Sequence, residues 1–308
     1  NFQYNIVLNE SHSDGYDLTI LDGTGNINKT LEMFSSISLV HKLIYKINSQ
    51  NRLSIRYSNY DKDISKYALD LGISLDENNN FIEDSSIVLQ REIPSYEDQM
   101  ISIDYQRNIN TNSDLSISYY TEKYVKIYNY PYYYGDFPND PISESFEWSI
   151  PTTQNINSVF NFKIKSHMLL IGSEYIYRDY LSRDIPSYGN SEEETLNENS
   201  IFGSDSLKKF SEGAFYVSDA FNIKSAMINL GARYSYNSIY GQKISPSFAL
   251  KYRLHSNIIR FNYSHNFRSP SIKELYYEME QHSPAVYGNP NLKPQTSNHY
   301  SLSIESIK

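Results

Sequence analysis

Hydrophobic and polar residues alternate along almost the whole chain. Leu53, Ile55 and Tyr57 fall on one side of an extended backbone, while Ser54, Arg56 and Ser58 fall on the other. The same period of two recurs in Ile101/Ile103/Tyr105, Leu115/Ile117/Tyr119, Phe160/Phe162/Ile164, Ile228/Leu230/Ala232/Tyr234, Phe248/Leu250/Tyr252/Leu254, Ile259/Phe261/Tyr263 and Tyr300/Leu302/Ile304. Successive side chains of a strand point to opposite faces, so each run predicts a strand with one apolar and one polar face. Helix signals are nearly missing. About twelve strand-like segments are expected in all.

The connections decide between architectures. Short turns are expected at 48–51, 110–113, 165–167, 222–224 and 255–257. Between them come polar connections, mostly long, near 12–29, 66–96, 131–151, 184–207, 238–243 (the one brief member) and 269–295. In an antiparallel meander every second connection lies at the same end, and membrane β-barrels keep short turns at one end and long loops at the other. The runs 35–47, 115–130, 168–183 and 208–222 exceed the five or six residues of an average soluble strand and reach the ~9–11 residues of a tilted spanning strand. Lys42, Arg56, Asp104, Lys163, Arg233, Lys251, Arg253 and Arg260 take polar-face positions. A sandwich interior seldom accepts such residues, whereas a wet lumen does. The expected fold is therefore an all-β, antiparallel, up-and-down transmembrane barrel. The alternative is a large soluble β-sandwich or surface domain.

Composition narrows the function. The chain of 308 residues has 30 Tyr against 14 Phe and one Trp, an excess of the amphipathic aromatic that suits strands and water–lipid boundaries. No run approaches the ~18 apolar residues of a membrane helix. There is no Cys, hence no disulfide, thiolate metal site or cysteine nucleophile. The net charge of −9 argues against a nucleic-acid partner. Both ends of the sequence, NFQYNIVLNE and YSLSIESIK, read as strand, which suggests a piece of something longer.

The stretch Phe267–Pro294 carries two motifs, Phe267-Arg268-Ser269-Pro270 with Glu274-Leu275-Tyr276, and Gly288-Asn289-Pro290-Asn291-Leu292-Lys293-Pro294. Four prolines fix φ along it, and Gly288 is read as a position needing backbone freedom. These motifs resemble the paired boxes of TonB-dependent outer-membrane receptors, with Ser269 for the family's Ala and Gln295 for its Glu. The stretch Ser11–Gly25 is similar to the first long barrel loop of the cobalamin and siderophore receptors. The resemblance implies a barrel of about 22 strands closed around a plug. Residues 1–308 would then be part of that barrel domain, from near its second or third strand to just past the second box, with no plug domain and without the final strands.

Function is expected to follow: an integral protein of the bacterial outer membrane, in contact with lipid, importing a scarce bulky nutrient. An iron chelate, siderophore or haem, is the leading ligand. A cobalamin receptor, or a passive porin or structural surface barrel, is the alternative. Energy coupling would come from the TonB–ExbB–ExbD complex, reached through an N-terminal part. No enzyme motif is present, and His41 beside Ser38 is read as chance in a Ser-rich chain.

Candidate ligand-binding residues are the aromatics Tyr132, Tyr133, Tyr134 and Phe137, whose rings can stack on a planar chelate, with Tyr128 and Tyr130 assigned to the interfacial girdle. Tyr276, Tyr277 and Tyr287 of the boxed loop join them. His282 lies between the boxes, where the resemblance implies a haem ligand. Asp14, Asp17, Asp61 and Asp63 are candidate oxygen ligands for a structural calcium, as in the cobalamin branch, although Asn26-Ile27-Asn28 stands where that branch has an acidic pair. No cofactor is otherwise required. Phe267, Pro270, Asn289 and Pro290 are read as a rigid strand exit.

Overall fold

The computed structural model describes residues 1–15, 32–75, 81–132, 142–182, 185, 207–279 and 286–306. In chain order these form β1 (Phe2–Ser13), β2 (Met33–Lys46), β3 (Asn51–Leu75), β4 (Phe81–Asn110), β5 (Ser113–Tyr132), β6 (Ile142–Ile164), β7 (His167–Ser182), β8 (Leu207–Ile223), β9 (Ala226–Asn237), β10 (Gly241–Leu254), β11 (Asn257–Arg268), α1 (Ile272–Tyr276), β12 (Glu278–Met279), β13 (Val286–Tyr287) and β14 (Gln295–Ser306). Strands β1 to β11 and β14 make one twelve-stranded antiparallel sheet in sequence order, and β12 and β13 make a separate small ribbon.

The register explains why the alternation is so regular. Leu43, Ile55, Ile103, Tyr119, Ile156 and Tyr175 stand opposite one another in turn across β2 to β7. Ile228, Leu250, Phe261 and Leu302 do the same across β9, β10, β11 and β14. Directly opposed residues share a face, so the apolar runs fuse into one continuous band. The polar face has its own network at mid-height. The Tyr216 hydroxyl donates to Asn157 Oδ1 at 2.9 Å, its ring lies under the Arg233 guanidinium, and Arg233 and Asn155 both donate to the Glu174 carboxylate. Tyr216 also covers Gly172, where a Cβ would fall 2.2 Å from the ring.

A soluble sandwich needs a second layer against the apolar face, and the described residues provide none. Among the described residues only seven hydrophobic ones are buried, whereas Phe215, Leu302 and Ile304 are each more than two-thirds exposed. The apolar band therefore faces an apolar solvent, which favours the barrel over the sandwich. Both terminal strands, β1 and β14, are exposed along nearly their whole length, as open sheet edges are.

Three expectations are corrected. Most of 66–96 is strand, because β3 and β4 keep pairing to Leu75–Phe81. The period of two is present there, since Tyr67, Leu69, Leu71, Ile73 and Leu75 alternate with small or polar residues, but the stretch reads as a polar connection. Likewise β6 starts at Ile142, inside the expected loop 131–151, where Phe146, Trp148 and Ile150 already alternate with polar residues. The third is the helix α1, whose signature Ser271-Ile272-Lys273-Glu274 was legible as a capping box. At the short end, two-residue turns at 165–166, 224–225 and 255–256 place Lys165, Lys224 and His255 at φ of 55°, 52° and 51°.

Candidate functional site

The paired boxes fold into one unit at the long-loop end of β11. The N-cap Ser271 accepts a hydrogen bond from the Glu274 amide at 3.2 Å, and Glu274 Oε2 accepts from the Ser271 amide at 2.7 Å. Arg268, the last residue of β11, donates to Glu274 Oε1 at 2.7 Å. The Ser271 amide, with the Arg268 guanidinium, holds the Glu274 carboxyl down at about 2. Ile272 and Leu275 are buried beneath α1.

The second box then docks on the first. The Gly288 amide donates to Tyr277 O, and the Asn289 amide donates to Glu274 O at 2.9 Å. A Cβ on Gly288 would fall 2.6 Å from backbone atoms of Leu275 and Tyr276. Gly288 is thus required by close approach rather than by an unusual φ, which corrects the reading from sequence. Asn289 also accepts from the Asn291 amide with its side chain and from the Leu292 amide with its carbonyl, closing the turn before β14.

The unit leans over the polar-face ends of β7, β8 and the β9–β10 turn, enclosing a hollow of about 330 Å³ lined by Arg178, Phe210, Glu212, Tyr240, Ser269 and Leu275 among others. The Tyr240 and Ser269 hydroxyls are buried there without a partner among the described residues. Burial, with Tyr276 and Glu274 nearby, pushes the Tyr240 hydroxyl up, so it stays a donor. Three cations lie over rings around this hollow: Arg178 over Phe210 at 5.4 Å, Lys208 over Tyr276 at 5.0 Å and Lys273 over Tyr180 at 6.0 Å. None of the three forms an ion pair among the described residues. Further round the same face, Lys126 lies over Tyr128 and Lys62 over Phe34. The mouth of the polar face is therefore lined by rings carrying cations.

A family model described as TonB dependent receptor-like, beta-barrel matches residues 43–307. The chain belongs to the TonB-dependent receptor barrel family. Solved structures agree on the fold. The siderophore receptor PirA from Acinetobacter baumannii is 15% identical, with the match covering 100% of this chain and 46% of that one at a TM-score of 0.72. The ferric enterobactin receptor PfeA from Pseudomonas aeruginosa, as a G324V mutant, is 14% identical over 100% and 46%, with a TM-score of 0.71. The FrpB iron transporter from Neisseria meningitidis is 13% identical over 88% and 43%, with a TM-score of 0.56. No curated protein matches the sequence. The chain thus spans about half the length of the receptors it resembles.

Within this receptor barrel the apolar band is the lipid side and the polar face the lumen. Of the expected ligand residues, Tyr276 closes α1 beneath Lys208, Tyr277 caps the helix with its amide on Lys273 O at 3.0 Å, and Tyr287 lies exposed in β13 opposite Glu278. Tyr132 is the last residue of β5. Tyr133, Tyr134, Phe137, His282 and Asp17 lie outside the described residues. Asp61 and Asp63 stand in strand β3, opposite Ile37 and Ser35, and not in a loop. Asp61 accepts from Asn59 at 2.6 Å and Asp14 pairs with His12 at 2.8 Å. Among the described residues no three His, Cys, Asp or Glu come together so as to hold a metal ion. Sequence reasoning missed Arg178, Tyr180, Lys208, Phe210 and Lys273. The first four share the lumenal phase of the alternation beside long connections, which was the available signal.

Proposed function

We propose that this chain forms the wall and mouth of an outer-membrane receptor importing an anionic iron chelate with aromatic arms, driven through the TonB–ExbB–ExbD complex. The carrying observation is the group of three cations on aromatic rings around α1, none of them in an ion pair among the described residues. A catecholate complex of ferric iron is a bulky anion edged with planar rings. Such a wall meets its charge with Arg178, Lys208 and Lys273, and its rings with Phe210, Tyr180 and Tyr276. Partial desolvation under the boxed loop strengthens both terms. PirA is a siderophore receptor, PfeA a ferric enterobactin receptor and FrpB an iron transporter, which supports iron as the cargo.

Fluorescence quenching of the purified receptor by a ferric tris-catecholate tests this. Arg178→Ala and Lys273→Ala should each weaken binding about tenfold, corresponding to ~1.4 kcal/mol. A neutral ferric tris-hydroxamate should bind at least as weakly as the variants bind catecholate. Unchanged affinity in both variants, or equal affinity for the neutral complex, refutes the assignment.

A further inference from the structure

The lipid side of β8 carries a carboxylate among apolar residues. Asp219 stands opposite Leu169 and Leu230, in the same alternating phase as Val217 and Phe221. It comes four residues before Ile223 at the short turn of β8, and its neighbour Leu169 comes two residues after His167 at the short turn of β7. The position therefore lies roughly 5–10 Å above the rim. An ionisable side chain in that zone is costly and marks a function together with its partner. His167 is part of the answer: its Nδ1 lies 2.8 Å from Asp219 Oδ2, and its ring lies against Phe221 with centroids 5.0 Å apart. Since His167 opens β7, the carboxylate is drawn down towards the rim. Its other oxygen, Oδ1, is covered by the wall and has no partner among the described residues, so the charge is met on one side only. The His167 and Asp219 side chains stay 44% and 26% exposed, which leaves the pair open to whatever lies outside the wall.

The surroundings of the pair supply two further features. Lys165, in the two-residue turn that leads into His167, holds φ at 55°, where glycine or asparagine would relax the chain. A strained residue kept where a relaxed one would fit points to a use for its side chain. Beside β7 on the same side of the wall, a hollow of about 430 Å³ opens against Phe160, Phe162 and Ile164, next to the turn residues Asn112 and Ser113. A carboxylate, an amine and an apolar hollow thus meet at one rim. A single membrane component carries the three complements: an ammonium for Asp219, a phosphodiester for Lys165 and an acyl chain for the hollow. We infer that this patch is a binding site for an aminophospholipid of the short-turn leaflet. An anionic headgroup without an amine meets repulsion from Asp219, and a quaternary ammonium has no N–H to donate. Lipid that merely surrounds a barrel needs no carboxylate in the wall. The site lies on the outer face, away from the mouth, and the identity of the imported chelate has no part in it.

Native mass spectrometry of the full-length receptor reads the headgroup preference directly. The receptor is released from micelles holding equal amounts of phosphatidylethanolamine, phosphatidylcholine and phosphatidylglycerol with the same acyl chains. The unaltered protein should retain the ethanolamine lipid about tenfold over either of the others, the size of one hydrogen bond to a charged group. Asp219→Asn keeps the shape of the side chain and should bring that preference close to parity. Lys165→Gly, which relaxes the turn, should lower retention of all three lipids several-fold and leave the preference for ethanolamine in place. Equal retention of the three lipids by the unaltered protein, or an undiminished preference in Asp219→Asn, overturns the inference. So does a dimer mass that Asp219→Asn abolishes, because the patch would then belong to a second copy of the chain. The comparison made with the unaltered protein decides the matter even if a variant fails to fold.

Discussion

Val217→Arg is the sharpest probe of the lipid-facing band. Val217 lies on the apolar face of β8, directly opposite Ile171 and Ala232, and is 46% exposed. A strand tilted by about 40° climbs roughly 2.5 Å per residue. Ile171, in register with Val217, comes four residues after His167 at the short turn. The pair therefore sits ~10 Å above that rim, near the middle of a band ~25 Å tall. A cation at that depth costs about 2–4 kcal/mol. A loss of about 3 kcal/mol lowers the folded-to-unfolded ratio roughly 100-fold. Two controls fix the interpretation. Ile164, the last residue of β6, is at the rim, so Ile164→Arg should cost about 1 kcal/mol or less. Ser218, beside Val217 but opposite Leu170 and Gly231 on the lumenal face, should tolerate Arg within ~0.5 kcal/mol. Urea unfolding of the receptor in lipid vesicles, followed by the fluorescence of Trp148, measures all three. Equal losses for Val217→Arg and Ser218→Arg, or no gradient between Val217 and Ile164, refute the placement of the membrane.

Three further outcomes concern the loop and the turns. Gly288→Ala forces a methyl to within 2.6 Å of the α1 backbone, which cannot yield as a flexible side chain would; a loss of about 1–3 kcal/mol should appear as faster proteolysis of 269–294 and weaker chelate binding. The Glu274 carboxyl, lowered from 4.5 to about 2, contributes fully to loop order above pH ~4.5 and loses that contribution as the pH falls towards 2; hydrogen exchange of the 271–277 amides should accelerate in that window, and Glu274→Gln should abolish the pH dependence. Lys165 sits at φ 55°, a conformation costing a residue with a side chain about 1–2 kcal/mol; Lys165→Gly should raise the urea midpoint by an amount equivalent to about 0.5 kcal/mol, after the extra entropy glycine loses on folding, whereas Lys165→Val should lower it.

The strand count, the faces and the turn asymmetry were legible in the sequence because they are local. Side chains alternate with period two whatever the strand pairs with, and lipid on one side against water on the other makes that alternation strict. The rows Leu43–Ile55–Ile103 and Leu250–Phe261–Leu302 are the pattern seen edge-on. The boxed loop was recognisable by its prolines and its Gly288. Its purpose was not, since the contact that excludes a Cβ is made with Leu275 and Tyr276, more than ten residues away in the chain. Extension of β3 was also legible, because Tyr67, Leu69, Leu71, Ile73 and Leu75 keep the period of two; what the sequence did not show is that its partner is the stretch 81–92 of β4, which only the pairing of the two arms decides. The cation-bearing rings were hidden for a different reason. Arg178 and Phe210 lie on strands separated by a long connection, and Lys208 meets Tyr276 across sixty-eight positions of sequence. Register alone brings them together. Alternation says which face a residue is on, but only the pairing of whole strands sets its height on that face, and height decides which cations and rings meet at the mouth.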